Sequence, residues 1–206
     1  MTAFAQSERR ELAHLMLEAG PDAPTLCEGW AVRDLAAHLV LRERRLDAAP
    51  GILIRPLRGY TDQVQRRLRD RPWPALVEAF RSGPPALLRL VDEQANLAEM
   101  FIHHEDVRRA QPQWDPRVLD AAEEAALWRR LSPMARLVRR KLPVGATLEA
   151  PGYGRVEVRP GEPHVTVTGG PGEFLLFLSG RKEFAQVELS GPPEAVAALK
   201  AAPLGL

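Results

Sequence analysis

Apolar side chains recur at three- and four-residue spacing over roughly the first two thirds of the chain, which is the pattern of amphipathic helices. The predicted main helices are about 3–18, 31–48, 86–110 and 115–131. Breaks rich in proline and glycine separate them, and a helix is expected to resume to about residue 141. Four main helices joined by short breaks indicate an up-and-down four-helix bundle.

The segment between the second and third main helices is less regular. Over 51–72 a short apolar run precedes an arginine-rich stretch, which suggests a mobile loop followed by helical structure. The sequence Pro72-Trp73-Pro74 then opens a short helix that ends near Ser82.

The pattern changes after residue 142, where apolar and polar residues begin to alternate. Valines 156, 158, 165 and 167 alternate with polar residues, as in half-buried strands. A helix at 174–179, a strand at 184–189 and a helix at 194–200 follow. The predicted fold class is therefore α+β, with a helical domain over 1–141 and a small α+β domain over 142–206.

Composition and charge exclude several classes of protein. The 206 residues include 28 basic and 27 acidic side chains, so the net charge of +1 provides no general attraction to nucleic acid or to anionic membranes. No apolar run approaches the ~18 residues that span a bilayer. The single cysteine precludes an internal disulfide, and the N-terminus has no secretory pattern, so a cytoplasmic protein is expected.

One segment of the third predicted helix carries candidate chemistry. Glu99 and His103 are four residues apart, so on a helix they lie on one face, one turn apart. His38, on the otherwise apolar second helix, is the best third ligand. Two histidines and one glutamate would leave a coordination position open, as in catalytic zinc sites. The alternative is that these histidines are hydrogen-bonded core residues.

Neighbouring residues have two interpretations each. Asp106, three residues after His103, could orient that imidazole through its second nitrogen, or could be a solvated carboxylate paired with Arg109 or Arg33. His104 points about 100° away from His103 on a helix, so we expect it to be exposed or to lie behind the metal ligands.

Two further features remain open. Cys27 has no neighbour in the sequence that would lower its thiol pKa, so a small buried apolar role is favoured over a nucleophile. Arginine clusters could be solvated helix faces or could recognise the carboxylates of an anionic substrate. They lie at 42–45, 66–71 and 136–140.

Three segments carry a resemblance to a known family. Residues 29–39 read GWAVRDLAAHL, residues 99–110 read EMFIHHEDVRRA, and residues 172–181 read GEFLLFLSGR. Together they resemble the mycothiol-dependent maleylpyruvate isomerase family, a group of DinB-like metal-binding bundles with a sterol-carrier-like C-terminal module. The second segment is closest to a branch of that family with no assigned reaction. One departure is Ala31, where the family usually has a serine or threonine that caps the helix.

The resemblance implies a zinc ion held by His38, Glu99 and His103, with mycothiol as cofactor or co-substrate. It also places the active site where the two domains meet, so that Arg181 is a candidate catalytic residue at the mouth of the site. Asp106 is the other candidate catalytic residue. We therefore expect a monomeric or dimeric zinc enzyme that isomerises an unsaturated substrate or transfers the thiol to an electrophile. Small molecules would be its partners, not nucleic acid or membranes. The alternative is a non-catalytic metal- or ligand-binding protein.

Overall fold

The computed structural model describes residues 4–205, apart from the side chains of residues 87, 90 and 91. The predicted start of the first helix at residue 3 lies outside the described residues. The chain forms two compact units, Met1–Asp115 and Pro116–Leu206. Helices form the first unit and a small sheet with helices forms most of the second, which confirms the α+β class.

The first unit contains five α-helices among its described residues. These are α1 (Phe4–Ala19), α2 (Val32–Arg44), α3 (Arg58–Arg69), α4 (Trp73–Arg81) and α5 (Asp92–Arg108). Short 3-10 turns cover Ala49–Ile52, Arg55–Leu57 and Ala86–Val91. The predicted helices at 3–18 and from Trp73 are confirmed. The predicted helix at 31–48 ends earlier, because Arg45 leaves the helical conformation with φ −118° and ψ 68°.

The core of the first unit lies between α1, α2, α4 and α5. Helix α1 packs along α5 and against α4, and α2 packs against α3 and α4. Leucine, valine, alanine and methionine side chains from the apolar stripes fill the space between these helices. The loop before α2 is held to α5, because the Leu26 backbone N–H donates to the Asp106 carbonyl at 3.0 Å. This contact brings the loop that contains Cys27 to the C-terminal end of α5.

The second unit is built on a four-stranded sheet in the order β2-β1-β3-β4. Its strands are β1 (Gly145–Ala150), β2 (Gly154–Arg159), β3 (His164–Gly169) and β4 (Val187–Ser190). Its helices are α6 (Ala121–Val138), α7 (Pro171–Leu178) and α8 (Pro193–Ala201). β1 pairs with β3 in parallel, and the other two pairings are antiparallel. The pattern did not predict β1, whose sequence GATLEA lacks the clear alternation of β2 and β3.

Helix α6 belongs to the second unit. It packs against α7 and β2, and the ring of Trp128 lies 6.4 Å from the ring of Phe174. The helix also continues through Pro133 instead of stopping there. The two compact units therefore divide before α6. The sequence predicted a domain boundary after residue 141, with this helix as the fourth member of the bundle, and that domain division stays a prediction. An apolar stripe shows that a helix is packed on one side, but not against which partner.

Candidate metal centre

Helix α5 presents a carboxylate and an imidazole on one face, as their spacing requires. The His103 Nε2 atom lies 3.4 Å from Glu99 Oε2. His103 is buried, whereas the Glu99 side chain is one-third exposed. The pair therefore sits at the edge of the core, with Glu99 on the solvent side.

His38 enters the same place from α2. Its ring lies 6.0 Å from the ring of His103 in an edge-on arrangement, and 5.0 Å from the ring of Trp30. Trp30 lies just before α2, so the loop before the helix packs against the His38 ring in the middle of α2. The structure thus places the His38 ring, from α2, next to the ring of His103, which pairs with Glu99 on α5.

The second nitrogen of His103 contacts Asp106. His103 Nδ1 lies 2.9 Å from Asp106 Oδ2, and the Asp106 side chain is 0% exposed. A buried carboxylate on Nδ1 fixes the ring orientation and the tautomer, which leaves Nε2 facing Glu99. The imidazole is therefore held between two carboxylates on one helix.

Cys27 joins this cluster, which sequence reasoning did not anticipate. Its thiol donates to Asp106 Oδ2 at 3.2 Å, and Sγ lies 3.9 Å from His103 Nδ1. Donor atoms of Cys27, His103 and Asp106 all lie within 4.8 Å of one another. The contact spans 79 positions of the sequence, so the neighbours of Cys27 along the chain carried no signal for it.

Arg42 completes the polar surroundings of Glu99. It lies one turn after His38 on α2, and its Nη2 atom is 3.7 Å from Glu99 Oε1. Its Nη1 atom donates to the side-chain carbonyl of Asn96, and Asn96 in turn donates to Asp92 at 2.6 Å. The four-residue spacing from His38 was the one sequence signal that could have placed Arg42 here.

Burial and charge prepare two of these groups to bind a cation. Burial and, to a smaller extent, the nearby positive charge of His103 together lower the pKa of His38 to about 4, so the imidazole is neutral at pH 7. Burial alone would raise the pKa of Glu99, but the hydrogen bond with His103 and the charges of His103 and Arg42 outweigh it, giving about 2. Glu99 is therefore ionised.

His103 has the opposite shift. Burial alone would lower its pKa, but its contacts with Asp106, Cys27 and Glu99 outweigh the burial and raise the pKa well above its ordinary value. In the absence of a metal, both ring nitrogens of His103 therefore carry a proton and the imidazole is positively charged. A cation at Nε2 would take the place of the proton on that nitrogen, between His103 and Glu99.

The ligand types of His38, Glu99 and His103 fit a zinc ion, although their three donor atoms do not all lie within 4.8 Å of one another in this structure. A neutral imidazole, an ionised carboxylate and an oriented second imidazole are the ligand types of catalytic zinc. Two ligand atoms of a tetrahedral zinc ion lie about 3.4 Å apart, since each bond is about 2.1 Å long. The distance between His103 Nε2 and Glu99 Oε2 matches this value.

Other predicted residues lie elsewhere. His104 is buried and faces α1, where its Nδ1 lies 2.9 Å from Glu8 Oε2. Arg181 follows α7 in the second unit, and its Nη1 donates to the Ser179 carbonyl at 2.6 Å. Its role as a substrate contact stays a prediction. Arg45 pairs with Asp47 at 2.7 Å on the surface, as expected for a solvated helix face.

Comparison with known proteins gives one match. Residues 3–135 match the family model described as mycothiol maleylpyruvate isomerase N-terminal domain. The matched range covers more than half of the chain and contains His38, Glu99 and His103. The curated proteins and the solved structures that were compared with the chain gave no match.

Proposed function

Because the chain belongs to the mycothiol maleylpyruvate isomerase N-terminal domain family, we propose that it is a zinc-dependent enzyme that uses a small thiol, with mycothiol as the first candidate. Its reaction would be the isomerisation of an unsaturated substrate or the transfer of the thiol to an electrophile. The observation that carries the proposal is His103, whose two ring nitrogens face Glu99 and the buried Asp106 while His38 faces its ring.

In this proposal His38, Glu99 and His103 hold the metal. Zinc, when bound, would lower the pKa of a coordinating thiol and so supply a thiolate nucleophile near pH 7. His38 is suited to ligation because its imidazole is already neutral at that pH. Glu99 contributes one negative charge, which offsets part of the charge of the cation.

Asp106 acts as a positioning residue in this scheme. By accepting the Nδ1 proton of His103 it holds Nε2 toward the metal position. Asp106 also accepts the Cys27 thiol proton, so a single buried carboxylate orders two side chains. Cys27 is thereby held next to the ligands without being one of the three.

Arg42 is the side chain that we assign to an anionic substrate. It lies beside Glu99 and is one-quarter exposed, so part of its guanidinium faces outward. Planar guanidinium groups bind carboxylates through paired hydrogen bonds. Arg181 remains a second candidate for the same task. We place the reaction in the cytoplasm, where a protein with one cysteine needs no disulfide.

No helix within 4–205 has the length and apolar character needed to cross a bilayer.

Metal analysis tests the proposed ligands. We expect His38→Ala, Glu99→Ala and His103→Ala each to contain about one zinc per chain less than wild type when measured by elemental analysis. His14→Ala is the matched control, because the His14 side chain is 75% exposed. A folded His38→Ala protein with the zinc content of wild type would overturn the ligand assignment.

The positioning role of Asp106 has a separate test. Asp106→Asn should weaken zinc binding about 10–100-fold, as loss of a carboxylate behind a ligating histidine commonly does. Competition with a chromophoric chelator measures this change. Asp62→Asn, an exposed change on α3, should leave the affinity unchanged. Equal affinities for Asp106→Asn and wild type would remove Asp106 from the site.

Activity is tested with the zinc-loaded protein. Incubation with mycothiol and a panel of electrophiles and unsaturated acids should give an adduct or an isomer, and His38→Ala should give neither. If zinc binds but the panel yields no product, the non-catalytic metal-binding alternative replaces the enzyme.

A further inference from the structure

A second group of metal-ligating side chains lies between α1 and α5. We propose that Glu8, Glu11 and His104 form a second site for a divalent transition-metal ion, independent of the centre built on His103. The two sites would share one helix, because His103 and His104 are consecutive and point about 100° apart. His103 faces His38 on α2, whereas His104 faces Glu8 on α1.

The geometry of the three donors supports this site. One ligand atom from each of Glu8, Glu11 and His104 lies within 4.8 Å of the other two. Glu8 and Glu11 are three residues apart on α1, so both carboxylates lie on one helix face. His104 Nδ1 is already 2.9 Å from Glu8 Oε2.

Two of the three donors are buried between helices, and the third is exposed to solvent. Glu8 and His104 are buried between α1 and α5, the pair of helices with the most extensive contact in the first unit. Glu11 is exposed and borders a surface cleft of about 400 Å³ that His104 also lines. An ion can therefore enter from solvent and keep water on its remaining positions.

The donor chemistry selects the class of ion. One imidazole and two carboxylates suit zinc, manganese, iron(II) or nickel better than calcium, which prefers oxygen donors alone. Two carboxylates match the charge of a divalent cation. Arg108 also lines the cleft, but its guanidinium already binds the Glu105 carboxylate at 2.9 and 3.1 Å, which offsets its positive charge.

Binding stoichiometry tests the second site. Protein stripped with chelator is titrated with zinc by calorimetry and with cobalt by its visible absorption. We expect two ions per wild-type chain. Glu11→Gln and His104→Gln should each lose one ion, or bind it at least tenfold more weakly, and His38→Ala should lose the other. Glu18→Gln is the matched control, because Glu18 is an exposed carboxylate on the same helix and cleft but outside the three donors.

The outcomes separate this site from the first. One ion per wild-type chain, lost in His38→Ala and kept in Glu11→Gln, overturns the second site and leaves the proposed function intact. One ion that is lost in Glu11→Gln and His104→Gln but kept in His38→Ala supports the second site and contradicts the proposed function. If Glu11→Gln and His104→Gln each still bind two ions per chain with unchanged affinities, the second site is also overturned. Circular dichroism of each variant confirms that the helices are intact.

Discussion

The two units of the molecule differ sharply in what they bury. Of the buried polar and charged residues in the described chain, all but Ser179 lie in the first unit. They are Glu8, Arg9, Glu43, Thr61, Asn96, His103, His104, Glu105, Asp106 and Arg109. The second unit instead buries nearly all of the apolar side chains of α7. The Ser179 hydroxyl donates a hydrogen bond to the Leu176 carbonyl.

This difference indicates where chemistry is concentrated. Burying a polar group costs free energy unless it is paired, so a core is simplest when it is apolar. The first unit instead keeps a linked set of ion pairs and hydrogen bonds, from Arg9 and Asp92 through Asn96 and Arg42 to Glu99. Both candidate metal sites lie in this polar region.

The largest expected effect comes from the buried arginine of the first unit. Arg9 binds Glu43 at 2.6 Å and Asp92 at 2.7 Å, and both Arg9 and Glu43 are buried. Arg9→Ala removes the guanidinium from both carboxylates and should lower the free energy of unfolding by about 3–5 kcal/mol. Chemical denaturation measures it. Arg10→Ala, at an exposed neighbouring position, should change it by less than about 0.5 kcal/mol. Equal losses of stability in Arg9→Ala and Arg10→Ala would show that the buried ion pairs of Arg9 do not stabilise the first unit.

An apolar truncation probes the second unit. Phe174 is fully buried in α7 beside Trp128. Phe174→Ala should lower the free energy of unfolding by about 3–5 kcal/mol, because it removes buried surface and leaves a cavity. The control is Val118→Ala, since Val118 is 100% exposed in the same unit and should change stability by less than about 0.5 kcal/mol. A loss below about 1 kcal/mol for Phe174→Ala would show that this core is loosely packed.

Acid should destabilise the metal-free protein through His38. Its pKa is about 4 in the folded protein, against an ordinary value of 6.5. Between these pH values the unfolded chain binds a proton that the folded protein does not, so the free energy of unfolding falls as the pH falls. His38→Asn should lose this part of the pH dependence when denaturation is measured at pH 7 and pH 4.5.

His103 does not mask this effect. Its raised pKa stabilises the folded state at low pH, and that contribution is lost only as the pH rises through the folded pKa. It is therefore fully present well below pH 6.5, where His38 acts. Identical pH dependence in His38→Asn and wild type would show that the His38 imidazole is not held neutral by burial.

The smallest effect is at the start of α2. Ala31 occupies the N-cap with extended backbone, and it has no side-chain acceptor for the first turn. Asp34 supplies half of a capping box by accepting the Ala31 N–H at 3.1 Å. Ala31→Ser should complete it and raise the free energy of unfolding by about 1 kcal/mol in thermal or chemical denaturation. Ala201→Ser, exposed at the end of α8, is the control and should have no such effect.

Local patterns predicted most helices but not every strand. Helix α1 and the helices of the last 40 or so residues follow from spacing that each segment carries by itself. The strand β1 was missed because its pairing with β2 and β3, not its own composition, makes it a strand. The contacts of α6 with α7 and β2 could not be read from its own segment either, since an apolar stripe is compatible with any apolar surface.

The sequence by itself determined the family, the α+β class and the choice of His38, Glu99 and His103 as candidate ligands, because periodicity and short motifs are local properties. Only the tertiary structure placed the Cys27 thiol on Asp106 and Glu8 on His104. These contacts join residues 79 and 96 positions apart. They depend on how the loop before α2 and helix α1 pack against α5, and side-chain packing between distant segments leaves no periodic trace along the chain.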